Sequence, residues 1–335
     1  MFRTIMKTAI KIENSQGQPS VGLVIPVYNG REYLEECLDS IANQTFGNFH
    51  AVVVDDGSTD GSLEIIEDYC RRDSRFTLIS GPHRGVSAAR NTGIDTIEEE
   101  LIGFVDADDA LQPNALELMV GIISETGADV CVCGFESGET FVRKDYHKSR
   151  PRLFEYEEAM RLALYQKIIL NNPWGMLMRR RLLGNSVRFR EGIRYEDLDA
   201  FYRFYSGASE IAWIPDRLYF YRQRHDSFLH RWSDSRLDVL DVTDRITHYM
   251  SEHHPRLVRA ARDRKFSAHF NMLALMLSYG IDNSAAIDRC LSVIREERWR
   301  TITDPHVRLK NKLGVLASFG GMPLLRILAR KATIH

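Results

Sequence analysis

Acidic residues occur in two short clusters, each directly after a run of apolar residues. Asp55 and Asp56 follow AVVV, and Asp106, Asp108 and Asp109 follow LIGFV. In an extended segment, residues i and i+2 point the same way, so Asp106 and Asp108 are expected to project together. Paired carboxylates suit Mg²⁺ or Mn²⁺, which prefer oxygen ligands and leave coordination positions for phosphate oxygens. A solvated acidic turn is the alternative interpretation of the second cluster.

The elements that carry these residues alternate between short apolar runs and amphipathic stretches with a helical period. This alternation predicts an α/β fold, a mainly parallel sheet sandwiched by helices. Ligands bind beyond the carboxyl ends of such strands. Tyr28 and Asn29, which end the first apolar run, should therefore lie in the same crevice as the two acidic clusters.

The pattern along the chain predicts three regions: a polar leader at 1–20, a sheet-containing domain at 21–232 and a helical C-terminal extension at 233–335. In the second region we expect a helix near 157–168 and two short strands in IAWIPDRLYFYR. In the third we expect only helices, which begin with 237–250, 257–279 and 285–298.

Composition narrows the class of protein. The chain has 335 residues, of which 44% are hydrophobic and 27% are charged, which is typical of a soluble globular protein. Its formal charge of −2 argues against nucleic acid as a partner. Five scattered cysteines predict buried free thiols in a reducing compartment. With no signal-peptide core and no apolar run of membrane-spanning length, the expected location is cytoplasmic.

Five motifs occur in a fixed order: IPVYN, VDDGSTDGS, GVSAARNTG, FVDADD and FREGIRYEDLDAFYR. Together they resemble the family 2 inverting glycosyltransferases of the GT-A fold, which include bacterial capsule, O-antigen and exopolysaccharide enzymes. The resemblance extends from residue 21 to about residue 227. It implies a GT-A fold, a nucleotide-sugar donor and a saccharide or lipid-linked saccharide acceptor.

The resemblance also implies a set of donor-binding residues. The first strand end and the DDGS aspartates would form the uracil pocket of a UDP-sugar, with Asp56 accepting the uracil N3–H. The implied set is Pro26, Tyr28, Asn29, Asp55, Asp56, Arg90, Asn91, Asp106 and Ser227. The alternative role of the two DDGS aspartates is to cap their own turn. Both roles can also hold, with one aspartate capping the turn and the other binding the donor. An ordinary solvated helix face is the alternative for Arg90 and Asn91.

The resemblance also implies a bound divalent metal ion. Its ligands would be Asp106, Asp108 and His225, with Mn²⁺ or Mg²⁺ as the ion. Asp109 would either touch the sugar or cap the helix that opens near Pro113. For His225 the alternative is a structural hydrogen bond.

Inversion by direct displacement requires a carboxylate to take the proton of the acceptor hydroxyl. The resemblance assigns this role to Asp197, with Glu196 second, and Asp199 is expected on the helix surface. Alternatively, Asp197 and Glu196 cap the N-terminus of their helix. Arg222 would bind the diphosphate together with Ser227. Trp174 would stack on an acceptor sugar or be buried.

One competing motif lies in the first acidic cluster. The spacing of Asp56, Ser58, Asp60, Gly61 and Glu67 fits an EF-hand calcium loop. An EF-hand needs a helix before the loop, and AVVV predicts a strand. We interpret the match as a coincidence.

The last thirty residues combine basic and apolar side chains. The segment 306–335 has six lysines and arginines and no acidic residue. Such a segment either lies on an anionic membrane or packs on the domain. The break at GGMP predicts two short helices in it. Membrane contact would place the protein at the inner face of the plasma membrane, where a lipid-linked acceptor lies.

The residues and the resemblance predict an inverting, metal-dependent glycosyltransferase, with specificity in 133–194. A sugar nucleotidyltransferase is one alternative, although PVYNGREY lacks the glycine-rich loop such enzymes carry after the first strand. A non-catalytic nucleotide-sugar-binding partner of another transferase is a second alternative. The presence of both Asp108 and Asp197 argues against it.

Overall fold

The computed structural model describes residues 3–5, 17–169, 171–224 and 232–332, without the side chains of 3–5 and 328–332. The chain divides into two compact units. The first comprises Met1–Tyr156, Asn171–Gly192 and Ala200–Ser227. The second comprises Glu157–Leu170, Ile193–Asp199 and Phe228–His335.

The described strands form one sheet in the first unit. They are β1 (Arg3–Ile5), β2 (Val21–Val27), β3 (Phe49–Asp55), β4 (Phe76–Ser80), β5 (Leu101–Phe104), β6 (Ala110–Leu111), β7 (Val130–Gly138), β8 (Arg152–Glu155), β9 (Met176–Arg179) and β10 (Glu210–Arg222). The strand order is β1-β4-β3-β2-β5-β9-β7-β10-β6, and β8 pairs with β10. The short strand β1 lies within the predicted polar leader and pairs antiparallel with β4.

The strands β4, β3, β2 and β5 are parallel neighbours and form the centre of the predicted fold. Every residue of β2 is buried, which is typical of a parallel strand covered on both faces. The helices of the first unit are α1 (Arg31–Ala42), α2 (Ser62–Arg72), α3 (Val86–Thr96) and α4 (Ala115–Thr126). The predicted α/β fold with helices around a sheet is confirmed. A strand, β3, enters the DDGS loop, so the EF-hand interpretation was rightly rejected.

Two local predictions differ from the structure. The segment 210–222 is one strand, β10, and not two, because it continues past Pro215 with shifts of register against β7. The helix α5 (Tyr156–Leu164) ends earlier than predicted, and Gln166 follows it with a positive φ of 54°. A left-handed residue cannot continue a right-handed helix.

The C-terminal region is helical, as predicted. After α6 (Glu196–Tyr205), which has residues in both units, the helices are α7 (Asp238–His253), α8 (Val258–Tyr279), α9 (Ser284–Thr303), α10 (Leu309–Phe319) and α11 (Gly321–Ala332). The predicted division of the tail into two short helices is confirmed. In the described part of the chain, no helix combines the length and the apolar character needed to cross a bilayer.

The cysteines are free thiols, as predicted. Cys37, Cys131, Cys133 and Cys290 are buried, whereas Cys70 is only partly buried. Burial raises the pKa of the Cys133 and Cys290 thiols to about 12. These thiols are therefore neutral and inert at physiological pH.

The packing of α3 on β2 gives a first prediction. A Cβ atom at Gly93 would lie 2.2 Å from Val24 Cγ1, which is closer than any stable contact. We expect Gly93→Ala to lower the free energy of unfolding by about 1–3 kcal/mol, because a packed core resists an added methyl group. Urea unfolding followed by circular dichroism measures the change.

The matched control is Gly121→Ala in α4, where an added Cβ meets nothing within 4 Å. Alanine favours a helix interior over glycine by about 0.5–1 kcal/mol, so this variant should be as stable as the wild type or more so. Equal stability of Gly93→Ala and the wild type would contradict the close approach of α3 and β2.

Candidate active site

The second acidic cluster forms a tight turn after β5. The backbone N–H of Asp109 donates to the carbonyl of Asp106 at 3.0 Å. The assumption of an extended segment was therefore wrong. The turn still brings the carboxylates within electrostatic reach of one another: burial raises the pKa of Asp108, and the charge of Asp106 raises it further.

Asp109 lies beneath this turn and is 1% exposed. Its Oδ2 accepts the Tyr219 hydroxyl at 2.6 Å, and its Oδ1 accepts the backbone N–H of Arg222 at 2.8 Å. Burial first, and then the charges of Asp106 and Asp108, raise its pKa to about 8. The predicted capping role is wrong, because Asn114 is the residue that precedes α4.

Two arginines bind the carboxylates of the turn. Arg90 of α3 donates to Asp106 Oδ1 at 2.7 Å and is itself buried, not on a solvated helix face. Arg224 Nη1 lies 3.3 Å from Asp108 Oδ2. Each arginine supplies a positive charge to a turn whose carboxylates repel one another.

Arg222 holds the backbone around the turn. Its guanidinium donates to the carbonyl of Asp108 at 2.8 Å, to the carbonyl of Glu139 at 2.6 Å and to the carboxylate of Glu36. The side chain is almost fully buried. We had expected it to bind a diphosphate. The structure instead commits the guanidinium to three protein acceptors, because β10 ends directly beside the turn.

The DDGS aspartates organise loops. Asp55 Oδ1 accepts the backbone N–H of Ser58 at 3.2 Å, and its Oδ2 accepts the Ser80 hydroxyl at 3.1 Å. Asp56 is 2% exposed and accepts the backbone N–H groups of Arg84 and Gly85 at 2.8 and 2.7 Å. Asp55 thus caps its own turn, which is one of the two roles that we had weighed, whereas Asp56 binds the backbone of the loop that precedes α3.

The end of β2 presents an aromatic side chain to solvent. Tyr28 is 50% exposed, and its ring stacks on His83 at a centroid distance of 3.9 Å. Asn29 has a positive φ of 49°, and its Oδ1 accepts the backbone N–H of Thr59 at 2.8 Å. Pro26 is buried inside β2. Tyr28 is therefore the member of this group with an accessible ring face.

Asn91 bridges two segments of the first unit. Its side-chain amide donates to the carbonyl of Phe189 at 2.9 Å and accepts the backbone N–H of the same residue at 2.8 Å. The predicted donor-binding amide is thus used to hold the segment around Phe189. The centre of the Phe189 ring lies 5.2 Å from the Arg90 guanidinium.

The ED motif begins α6. Glu196 is its first residue, and Asp197 Oδ1 accepts the backbone N–H of Leu198 at 2.7 Å. The preceding residue, Tyr195, has a positive φ of 60°, a strained conformation that is frequent at functional sites. Asp199 is buried and paired with Arg245 at 2.7 Å, so its predicted place on the helix surface is wrong.

A buried arginine in the second unit lies within electrostatic reach of Asp197. The pKa of Arg264 is lowered to about 10, mainly by burial and further by the charge of Arg308. The nearby Asp197, Asp263 and Tyr195 act in the opposite direction and raise it. The Arg264 guanidinium is thus a buried cation whose charge interacts with the ED motif. No sequence pattern pointed to Arg264.

Three further residues had been predicted for the site: His225, Ser227 and Trp174. His225 and Ser227 lie outside the described residues. Trp174 is buried, and its ring stacks on Tyr219 at 4.6 Å and on Tyr221 at 5.4 Å, which is the structural alternative we had weighed.

Tyr219 and Arg224 contact the turn although neither had been predicted as a site residue. A signal for Arg224 existed, because it lies two positions after Arg222, which we had assigned to the diphosphate.

The turn fits a divalent cation that is shared with a phosphate ligand. Among the described residues, no three His, Cys, Asp or Glu side chains form a complete metal site. Mg²⁺ commonly takes one or two carboxylates and completes its shell with substrate phosphates and water. Asp106 and Asp108 supply two such carboxylates, and their oxygens suit either Mg²⁺ or Mn²⁺.

Comparisons with known proteins agree with the fold and the motifs. A family model described as "Glycosyl transferase family 2" matches residues 23–186. Two Streptococcus pneumoniae proteins, glycosyltransferase GlyA and glycosyltransferase GlyG, are 32% and 33% identical over 68% and 62% of this chain. The matched part spans 34% of GlyA and 72% of GlyG. The Bacillus subtilis minor teichoic acid biosynthesis protein GgaA is 29% identical over 62% of this chain and 49% of its own length.

Solved structures share the fold. S. aureus TarS 1–349 in complex with UDP-GlcNAc has a TM-score of 0.66 at 20% identity, covering 93% of this chain and 88% of that chain. The mannosyltransferase PcManGT from Pyrobaculum calidifontis, in complex with GDP-Man and Mn²⁺, has a TM-score of 0.54 at 16% identity, covering 94% and 86%. The predicted GT-A type of fold is confirmed.

The buried carboxyl of Asp109 gives a prediction of pH dependence. A carboxyl whose pKa is about 8 in the folded chain and near 4 in the unfolded chain binds more protons when folded between these values. Its contribution to stability is therefore lost as the pH rises from about 4 to about 8. The free energy of unfolding of the wild type should therefore fall with pH in this range. In chelator-treated protein, Asp109→Asn should make that fall less steep, by up to about 1.4 kcal/mol per pH unit.

The measurement is urea unfolding at a series of pH values. Asp282→Asn, at an exposed position, serves as the matched control and should keep the wild-type slope. A wild-type slope in Asp109→Asn would show that this carboxyl does not carry the excess proton.

Proposed function

The chain belongs to glycosyl transferase family 2, and from that premise we propose that it transfers a sugar from a UDP-sugar to a saccharide or lipid-linked saccharide with inversion. The observation that carries the proposal is the acidic turn after β5. In this turn Asp106 and Asp108 are bound by Arg90 and Arg224. Asp109 is held by the Tyr219 hydroxyl and the Arg222 backbone N–H, and the arrangement suits a cation-bound diphosphate. The teichoic acid protein GgaA among the relatives supports a role in cell-surface polysaccharide synthesis.

The donor would bind at the carboxyl ends of β2, β3 and β5. The exposed ring of Tyr28 offers a stacking face for a nucleobase, and Asn29, Asp55 and Asp56 shape the loops around it. In this proposal Asp56 also accepts the uracil N3–H, and Ser227 joins the diphosphate contacts. The TarS complex with UDP-GlcNAc supports UDP as the nucleotide.

Asp106 and Asp108 would hold the metal, Mn²⁺ or Mg²⁺, with His225 as a third ligand. The metal would act as a Lewis acid that neutralises charge on the departing diphosphate. The Mn²⁺-containing structure of PcManGT supports this choice. Arg90 and Arg224 would add positive charge on the protein side.

The base would be Asp197, with Glu196 as the second candidate. The acceptor hydroxyl oxygen attacks the anomeric carbon while its proton passes to the Asp197 carboxylate. The bond from that carbon to the diphosphate oxygen breaks, and UDP leaves with the electron pair. The single displacement inverts the anomeric configuration.

The proposed place of action is the cytoplasmic face of the plasma membrane, where lipid-linked acceptors are found. The segment 306–335, with six basic and no acidic residues, would provide the contact. Sugar nucleotidyl transfer has no support in the family to which the chain belongs. Binding of a nucleotide sugar without catalysis is the outcome that would replace this proposal.

The assignment of the base is tested with Asp197→Asn. The amide keeps the oxygen that accepts the Leu198 N–H but cannot take up a proton at neutral pH. Transfer should fall by about 10²–10⁴-fold while the dissociation constant of UDP stays near the wild-type value. Transfer is measured as UDP release with a panel of UDP-sugars and saccharide acceptors. Glu196→Gln is the matched variant and should lose much less activity.

The reverse ranking of these two variants would move the base to Glu196. Wild-type activity in both would contradict a base in the ED motif. UDP binding by a wild-type protein that transfers no sugar to any acceptor would favour the non-catalytic alternative.

The role of Asp108 is tested through metal-dependent binding. Mn²⁺ and UDP together should raise the melting temperature of the wild type by several degrees, and Asp108→Ala should abolish that increase, because the main metal ligand is gone. Asp282→Ala is the control at an exposed carboxylate. An unchanged increase in Asp108→Ala would exclude Asp108 as a ligand.

A further inference from the structure

The helix α10 has its apolar side turned outward. The buried residues of the helix are Asn311, Gly314 and Val315. The exposed ones include Leu309 at 71%, Leu313 at 56%, Leu316 at 54% and Phe319 at 45%. Their spacing of three and four residues puts these four side chains on one face. A helix that packs on its own domain normally shows the opposite arrangement.

Specific contacts fix α10 in this orientation. Asn311 Nδ2 donates to both carboxylate oxygens of Asp263 in α8, at 3.0 and 3.2 Å, and all of these atoms are buried. A Cβ atom at Gly314 would lie 3.1 Å from the Phe270 ring, so α10 and α8 approach closely at this point. Rotation that buried the leucines would break the buried polar contact, which is costly. The packing of the tail on its own unit thus presents the apolar face to the outside.

Neighbouring helices extend this face. Trp299 of α9 is 62% exposed, and its ring lies 5.3 Å from that of Phe319. In α11, Leu324 and Ile327 are 37% and 54% exposed. We call the set of Trp299, Leu309, Leu313, Leu316, Phe319, Leu324 and Ile327 the apolar tail surface. So many exposed apolar side chains on three helices that pack together mark an interaction site.

Basic residues surround the apolar tail surface. The Arg298 guanidinium lies 4.6 Å from the centre of the Phe319 ring, and Lys310 and Arg326 are exposed on α10 and α11. The segment after Pro305 has no acidic residue that would oppose them. Apolar side chains with a tryptophan, surrounded by lysine and arginine, fit the boundary between headgroups and acyl chains of an anionic bilayer. On α9, the exposed Glu296 pairs with Arg300 at 3.9 Å, so the exposed acidic side chain nearest to Trp299 in the sequence is itself offset by a basic one.

We propose that the apolar tail surface docks the chain on anionic lipid membranes. Leucines and aromatic rings of α9, α10 and α11 enter the headgroup region, and the basic residues contact lipid phosphates. The helices lie on the bilayer and do not cross it. This docking deepens the membrane contact of the proposed function and rests on it in that respect. It is argued from the geometry of the second unit, so its failure in a binding test would leave the proposed transfer reaction standing.

The test is co-sedimentation of the full-length protein with vesicles of phosphatidylglycerol and phosphatidylcholine, against vesicles of phosphatidylcholine alone. The wild type should bind the anionic vesicles, and binding should weaken with added salt. Leu313→Ser/Leu316→Ser should lower the apparent affinity at least tenfold, because apolar groups that enter the headgroup layer are lost. Lys310→Glu/Lys312→Glu should lower it as well.

The matched control is Val142→Ser/Leu153→Ser, which removes two exposed apolar side chains from the first unit. It should bind like the wild type, and all variants should keep the wild-type circular dichroism spectrum and melting temperature, since none of the changed residues is buried. Light scattering gives the oligomeric state. Equal binding of the wild type and Leu313→Ser/Leu316→Ser overturns the proposal. So does a dimeric wild type that this variant converts to a monomer, because a second copy would then cover the surface.

Discussion

Electrostatic repulsion among three carboxylates in one tight turn is the constraint on which the structure of the site depends. Asp106, Asp108 and Asp109 follow β5 within five residues, and Asp109 is almost fully buried. Nearby like charges and burial both oppose ionisation. Hydrogen-bond donors and positive charges from elements far apart in the chain offset this cost. They are Arg90 from α3, and Tyr219 and Arg222 from β10. The turn is thus held in place, and in the proposed function its Asp106 and Asp108 carboxylates bind the cation.

This arrangement explains the course of β10. The strand is thirteen residues long, pairs parallel with β7 through two register shifts, and ends beside the turn. It delivers the Tyr219 hydroxyl to Asp109 and the Arg222 guanidinium to the carbonyls of Asp108 and Glu139. A shorter strand would end before Arg222 reached the turn. The antiparallel pairing of β10 with β6, which follows the turn directly, closes the same region from the other end.

Local pattern predicted the elements well because their apolar periods are long and regular. The parallel strands, the helices after residue 233 and the break in the tail were confirmed. The extended conformation of 106–109 was wrong because the turn closes through a backbone hydrogen bond that side-chain types do not encode. Asp199 and Arg222 were misjudged for another reason: their partners, Arg245 and Glu36, are distant in sequence, and only the tertiary fold brings them together.

The most direct test of the account is a crystal structure of the protein grown with Mn²⁺ and UDP, with the anomalous signal of manganese used to locate the ion. The account predicts a manganese peak within coordination distance of the Asp108 carboxylate and of a diphosphate oxygen. Bound UDP with its manganese peak away from the 106–109 turn would contradict it.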